Sequence, residues 1–95
     1  MEYEWDENKN QLNQQKHGLC FEDAEFIFAG ETITFEDDRI DYGEQRFITL
    51  GILAGRVVVL IYTRRSSATR IISMRKANER EKEIYKKRLE ETRRH

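Results

Sequence analysis

Apolar residues along this chain change their spacing twice, and these changes divide it into helical and extended parts. Residues 7–17 are polar and compatible with a helix, with Asp6 at the N-cap position and Gly18 where the helix should end. From residue 21 to about residue 29, apolar side chains recur at helical spacing: Phe21, Ala24, Ile27 and Phe28. The pattern therefore predicts two helices, preceded at residues 2–5 by a short strand or an extended arm.

The second predicted helix begins with an unusual cap. Cys20 stands at its N-cap position, and Asp23 follows three residues later, so the arrangement resembles a capping box in which a thiol replaces the hydroxyl. Because a thiol is a poor hydrogen-bond acceptor, we expect this helix to be under-capped.

The middle of the chain has the alternation and the β-branched content of strands. Four strands are predicted, at residues 32–35, 45–53, 56–63 and 69–74. Ala54-Gly55 lies where a tight hairpin turn is needed. Residues 57–61 are apolar at every position, which indicates a central strand covered on both sides. Short connections between these strands favour an antiparallel meander.

A charged helix is predicted from residue 77 to about residue 94, with Ile84, Tyr85 and Leu89 on its apolar side. The fold expected for residues 1–95 is therefore a single α+β domain with two N-terminal helices, a four-stranded antiparallel sheet and a C-terminal helix.

The longest apolar run, residues 57–62, is too short to cross a bilayer, and the acidic N-terminus is unlike a secretory signal. We expect a cytoplasmic protein with no membrane partner.

Charge is distributed unevenly, although the formal net charge is only −1. Residues 1–44 carry 3 basic and 13 acidic side chains, a net charge of −10, whereas residues 45–95 carry 14 basic and 5 acidic ones, a net charge of +9. A basic half favours a polyanionic partner, with nucleic acid first among the candidates. A salt-bridged, solvated surface explains the same charges equally well.

The sequence lacks a phosphate-binding glycine loop, a two-histidine metal motif and a serine elbow, and its one cysteine, Cys20, excludes a multi-cysteine site. No metal site and no cofactor is predicted. What remains is a group of arginines around the predicted sheet: Arg46, Arg64, Arg65, Arg70 and Arg75. The planar guanidinium suits phosphate, because it donates two hydrogen bonds and keeps its charge. Each arginine taken singly is more often a surface charge.

The alternation of side chains along a strand predicts which members of this group share a face of the sheet. On a regular strand Tyr62 and Arg64 project to the same face, whereas Arg70 and Arg75 project to opposite faces. In that case either Arg75 acts from beyond the strand end or only one of the two arginines faces the site. His17 lies in the last turn of the first helix, where it serves either as a proton shuttle or as a C-cap that bonds the last carbonyls.

Six segments carry a family resemblance: WDENK at residues 5–9, KHG at 16–18, FEDA at 21–24, GEQR at 43–46, YTR at 62–64 and RIISMRKA at 70–77. Their order and content are similar to the BrnT family of toxins, over essentially the whole chain. Two positions depart from the pattern: Cys20 stands where a serine or similar cap is usual, and Met74 where a small residue is usual. The second departure is expected to alter packing under the final helix.

The resemblance implies a RelE-like fold and a ribonuclease that blocks translation and needs no metal. It also implies a ribbon-helix-helix antitoxin, through which the complex binds operator DNA. On this basis the expected catalytic residues are Arg64, Arg70 and Arg75, which hold phosphate, and His17, which transfers a proton. Lys16, Arg46 and Tyr62 are expected to position RNA, Tyr62 by stacking on a base. Glu44 is an alternative base, unless it only pairs with Arg46.

Two rival functions fit the same residues, because a fold does not dictate an activity. One is a non-catalytic module of the same fold that binds nucleic acid. The other is a domain whose basic half docks an acidic protein. Cleavage of RNA by the purified protein separates the ribonuclease from both, and salt-sensitive nucleic-acid binding separates the two rivals.

Overall fold

A computed structural model of the chain describes residues 2–93. In chain order its elements are β1 (Glu2–Glu4), α1 (Glu7–His17), a 3-10 turn (Phe21–Asp23), α2 (Ala24–Ala29), β2 (Ile33–Asp37), β3 (Arg46–Leu53), β4 (Arg56–Arg65), β5 (Ala68–Lys76) and α3 (Glu79–Arg93). The strands form one sheet in the order β1-β5-β4-β3-β2. The α+β class is confirmed.

The sheet has five strands among residues 2–93, so the prediction of four was wrong. The fifth strand is the N-terminal segment: residues 2–4 pair in parallel with the start of β5, as in the pair Tyr3–Thr69. The other neighbouring strands are antiparallel. The sheet is therefore mixed. The parallel pair is possible because α1 and the following elements provide a long connection between β1 and β5.

Helix α1 begins and ends as its caps predict. A side-chain oxygen of Asp6 accepts hydrogen bonds from the backbone N–H groups of Asn8 and Lys9, at 2.9 and 3.2 Å. Gly18 ends the helix at φ +69°, a conformation that costs glycine little.

The second helical segment opens as a 3-10 turn rather than as regular α-helix. Cys20 does occupy its N-cap position, and its side chain makes no capping hydrogen bond.

Two asparagines attach α1 to the rest of the molecule. Asn13 is 8% exposed; its side-chain oxygen accepts from the backbone N–H of Met74, and its amide donates to the carbonyl of Leu19. Asn10 is 2% exposed and accepts from the backbone N–H of Phe21 at 2.9 Å. Buried amides of this kind satisfy backbone groups that would otherwise lack partners.

Strand β4 is the middle strand, as its unbroken apolar run predicts, and it carries core residues on both faces. On one face Val58, Leu60 and Tyr62 pack with residues of the 3-10 turn and α2. On the other face Val59 packs with Tyr85 of α3. We call these the α2 face and the α3 face of the sheet. Met74 is fully buried on the α2 face, so it does not pack under the final helix as predicted.

Close packing on the α2 face depends on a glycine. A Cβ atom at Gly51 would lie 2.7 Å from a side-chain methyl carbon of Ile27 on α2.

The tight turn of the β3–β4 hairpin is formed by Ala54 and Gly55, whose backbone φ angles are positive, at +51° and +79°. Within residues 2–93 no helix is long and apolar enough to cross a membrane.

Candidate functional site

One row of directly paired residues crosses all five strands of the sheet. From β2 to β1 it contains Asp37, Arg46, Thr63, Arg70 and Glu4. Residues that are paired across strands project to the same face. Thr63 lies four residues after the core residue Val59 on β4, so their side chains project to the same face. The row therefore lies on the α3 face. We call it the arginine row; it places two guanidinium groups on one surface, one on each side of the buried Thr63.

A β-bulge brings Arg75 to the same face as Arg70. Ile61 of β4 pairs with Ser73, whereas the next residue, Tyr62, pairs with Ile71, so Ile72 is an extra residue in β5. An extra residue reverses the alternation beyond it. Arg75 consequently pairs with Val59 on the α3 face. The prediction that Arg70 and Arg75 project to opposite faces was wrong, because it assumed a regular strand.

Arg64 lies away from the arginine row. It pairs with Thr69, while its neighbour Thr63 belongs to the row, so Arg64 projects to the α2 face. Its side chain is exposed at the end of β4. Tyr62 does share a face with Arg64, as predicted. The three arginines expected to hold phosphate are thus divided, two on the α3 face and one on the other.

Tyr62 is a core residue. It is 2% exposed, its hydroxyl hydrogen-bonds with Thr49 at 2.9 Å, and its ring stacks on Phe47 with centroids 5.6 Å apart. A third ring, that of Phe28, meets it edge-on. A buried ring is not accessible to a base, so the predicted stacking of Tyr62 on RNA was wrong.

Arg75 is held by the start of α3. Its guanidinium donates to both carboxylate oxygens of Glu81, each at 2.7 Å. Glu81 also accepts from the backbone N–H of Asn78, and the Asn78 side chain accepts from the backbone N–H of Glu81. This reciprocal pair is a capping box, so one carboxylate both caps the helix and orients Arg75. The hydrogen bonds from Arg75 lower the pKa of Glu81, although burial opposes the shift.

A second arginine–carboxylate pair anchors the loop between β2 and β3. Arg39 donates two hydrogen bonds, of 2.8 and 3.0 Å, to the carboxylate of Asp37, whose side chain is 2% exposed. These bonds lower the pKa of Asp37, against the effect of burial. The hydroxyl of Tyr42 donates to the same carboxylate at 3.3 Å. The Tyr42 ring in turn lies under the guanidinium of Arg46, with 3.9 Å between the Arg46 Cζ and the ring centroid.

The remaining ion pairs decide which cations are free to bind a ligand. Arg65 donates to Glu44 at 3.2 Å, which lowers the pKa of Glu44. Arg70 faces Glu4 only loosely, at 4.0 Å. Arg46 has no ion pair among residues 2–93, and its buried Nε has no hydrogen-bond partner there. Within that range, Arg46 and Arg70 are therefore the row's cations without a close ion pair.

Lys16 and His17 lie at the edge of the sheet, in a cleft between α1 and β5. Ile72 and Ser73, the residues at the bulge, line the same cleft. Lys16 is exposed and His17 is half-buried. Since Ser73 pairs with Ile61 on the α3 face, the cleft opens beside that face. Within residues 2–93, no ion pair joins His17 to the arginine row.

The comparison with protein families decides the broader assignment. Residues 5–81 match the family model described as the ribonuclease toxin BrnT of type II toxin–antitoxin systems. The chain belongs to the BrnT family. Membership makes it a ribonuclease toxin by family and implies an antitoxin protein as its partner. No curated protein matches the chain.

The BrnT match contains the arginine row except for Glu4, together with His17 and the Arg75–Glu81 pair. Two of the residues that hold the arginines were missed by the sequence analysis: Glu81 and Tyr42. The sequence does contain a signal for Glu81, because it follows Asn78 at the spacing of a capping box. Tyr42 gave no such signal. In the described part of the chain, no group of three or more histidine, cysteine or acidic side chains is arranged to hold a metal ion.

Proposed function

We propose that this BrnT-family protein cleaves RNA on the α3 face without using a metal ion. The observation that carries the proposal is the arginine row, in which Arg46 and Arg70 flank Thr63 and neither has a close ion pair within residues 2–93. Neighbouring strands lie about 4.8 Å apart, so the two Cα atoms, two strands apart, are separated by roughly 10 Å. Two cations at this spacing suit an extended polyanion better than a small anion.

Arg75 lies on the same face as the arginine row, and its charge is paired with Glu81. Glu81 fixes its guanidinium with two hydrogen bonds, so little conformational entropy is lost when a phosphate approaches. An arginine that is already oriented can stabilise charge as it develops on phosphoryl oxygens in the transition state. Arg46 and Arg70 are therefore assigned to RNA binding, and Arg70 and Arg75 to stabilisation of the reacting phosphate. Arg64, on the opposite face, is outside this site.

The proposed reaction is an intramolecular transfer. The ribose 2′-oxygen gives its proton to a base and forms a bond to the adjacent phosphorus, while the bond from phosphorus to the 5′-oxygen breaks. An acid protonates the departing 5′-oxygen, and a 2′,3′-cyclic phosphate remains. His17 is the proposed proton-transfer group, since its cleft opens beside the α3 face, and Lys16 lies next to it to attract the RNA backbone. Glu44 is the alternative base.

The purified protein tests this chemistry directly. Incubated with single-stranded RNA in excess chelator, it is expected to cut the RNA and to leave cyclic phosphate or 3′-phosphate ends. Cleavage that stops with chelator and returns with magnesium would contradict metal independence. RNA that is bound but never cut would favour the binding-module alternative.

We further propose a ribbon-helix-helix protein as the antitoxin, with operator DNA bound by the complex and not by the toxin alone. Family membership supports a protein partner, and the sequence resemblance supports its type. The product of an adjacent small reading frame, purified with this chain, is the test. It should form a complex that suppresses RNA cleavage and binds promoter DNA. An adjacent product that does neither would contradict this assignment.

A further inference from the structure

The aromatic residue beside the arginine row is Tyr42. Its ring belongs to neither of the two core clusters, whereas the rings of Tyr3, Tyr62 and Tyr85 pack in or against them. Tyr42 is half-buried and lies in the loop between β2 and β3. Its ring is therefore not part of either apolar cluster and is partly accessible from solvent.

Two contacts fix the orientation of the Tyr42 ring. The Arg46 guanidinium lies over the ring, and the Tyr42 hydroxyl donates to the buried carboxylate of Asp37. Arg39 holds that carboxylate with two further hydrogen bonds. A tyrosine whose two side-chain torsions are already fixed loses little entropy when a planar group stacks on it.

We propose that Tyr42 stacks on a base of the RNA whose phosphates occupy the arginine row. The proposal rests on the proposed ribonuclease function and names the residue that contacts the base. Arg46 connects the two parts of the site, because it belongs to the row and lies on the Tyr42 ring. A phosphate at Arg46 thus brings a neighbouring base towards Tyr42. Unpaired bases have accessible faces, so the substrate class is single-stranded RNA with little dependence on base identity.

The experiment compares two oligonucleotides of the same length, about eight nucleotides, which is within the usual range for single-strand sites. One carries bases and the other is abasic, and both are methylated at the 2′-oxygen so that no cleavage interferes. Tyr42→Leu removes the ring, while Tyr42→Phe keeps the ring and removes only the hydrogen bond to Asp37. Affinity is measured for the wild type and both variants.

Tyr42→Leu is expected to bind the base-containing oligonucleotide about 5- to 150-fold more weakly than the wild type does, the range for loss of one stacked base. Its affinity for the abasic oligonucleotide should be unchanged, and Tyr42→Phe should retain most of the wild-type affinity for both. An equal loss on both oligonucleotides would show that Tyr42 acts only by positioning Arg46 and would overturn the stacking proposal, as would no loss on either. A wild-type protein that binds neither oligonucleotide would instead overturn the proposed RNA site, and the stacking proposal with it.

Discussion

Arg75 on β5 and Glu81 on α3 form a bidentate ion pair, with both nitrogen–oxygen distances at 2.7 Å. The pair joins the final helix to the sheet at the point where the bulge has turned Arg75 towards it. Glu81 also completes the capping box with Asn78. One carboxylate thus contributes to the stability of the fold and to the geometry of the proposed phosphate site.

Glu81→Gln is expected to lower the free energy of unfolding at neutral pH by about 1–2 kcal/mol, since it weakens charge-assisted hydrogen bonds that are partly exposed. The pKa of Glu81 is lowered in the folded protein, so its carboxylate stabilises the fold above the ordinary glutamate pKa of about 4.3. This contribution disappears as the pH falls through the lowered value. Urea unfolding at neutral pH and at about pH 3 measures the change.

The difference between wild type and Glu81→Gln should therefore narrow as the pH falls. Glu79→Gln is the matched control, because Glu79 lies in the first turn of the same helix and its side chain is 91% exposed. It should change stability little at either pH. A Glu81→Gln deficit that is equally large at both pH values would show that the ionised pair is not its source.

Asn13→Ala is expected to destabilise the protein by about 1–3 kcal/mol, because the buried N–H of Met74 and the carbonyl of Leu19 lose their partner. Gln11→Ala on the exposed side of the same helix is the control and should change stability by less than about 0.5 kcal/mol. Denaturant unfolding of both variants gives the comparison. Equal stabilities would mean that water replaces the Asn13 contacts at little cost.

These asparagines mark one limit of the sequence analysis. The caps Asp6 and Gly18 act locally, so the bounds of α1 could be predicted from the sequence. The contacts of Asn10 and Asn13 join residues far apart in the chain, and the long-range bond to Met74 has no local signal. The same reason explains β1, whose three residues pair with a strand more than sixty positions away.

The candidate site likewise combines features that could be predicted from the sequence with features that could not. Residue type pointed to arginines near strand ends, but the face that Arg75 shares with Arg70 depends on Ile72, the extra residue of the bulge. Neither a glycine nor a proline marks this position in the sequence. Alternation alone also could not place Tyr62, because it relates Tyr62 to Arg64 without showing that the α2 segment covers the ring.

His17→Gln is expected to leave RNA affinity nearly intact and to slow cleavage by about 10²–10⁴-fold, the usual contribution of a proton-transfer group. Glutamine keeps a polar side chain in the cleft beside Ser73 but does not exchange a proton near neutral pH. Affinity and single-turnover rate are measured on the same preparation, with thermal unfolding to confirm the fold. A folded variant that cleaves at the wild-type rate would remove His17 from the mechanism and leave Glu44 as the next candidate.

Arg64 is a control for the proposed RNA site on the α3 face, because it lies on the opposite face of the sheet. Arg70 and Arg64 both belong to the end of the sheet near the β4–β5 turn, yet they project to opposite faces. Arg70 also faces Glu4, so Arg70→Ala removes a loose ion pair as well as a cation. Glu4→Gln removes the same pair and keeps the cation, and it should not weaken RNA binding.

The most direct test measures RNA affinity, its salt dependence and the single-turnover cleavage rate for Arg70→Ala and Arg64→Ala side by side. Arg70→Ala should weaken binding, reduce the salt slope by about one unit and slow cleavage by about 10²-fold, because a phosphate contact is lost from the bound state and the transition state. Arg64→Ala should stay within about twofold of the wild type in all three, as expected for an exposed charge outside the site. Equal losses in the two variants, or a larger loss in Arg64→Ala, would contradict a site on the α3 face.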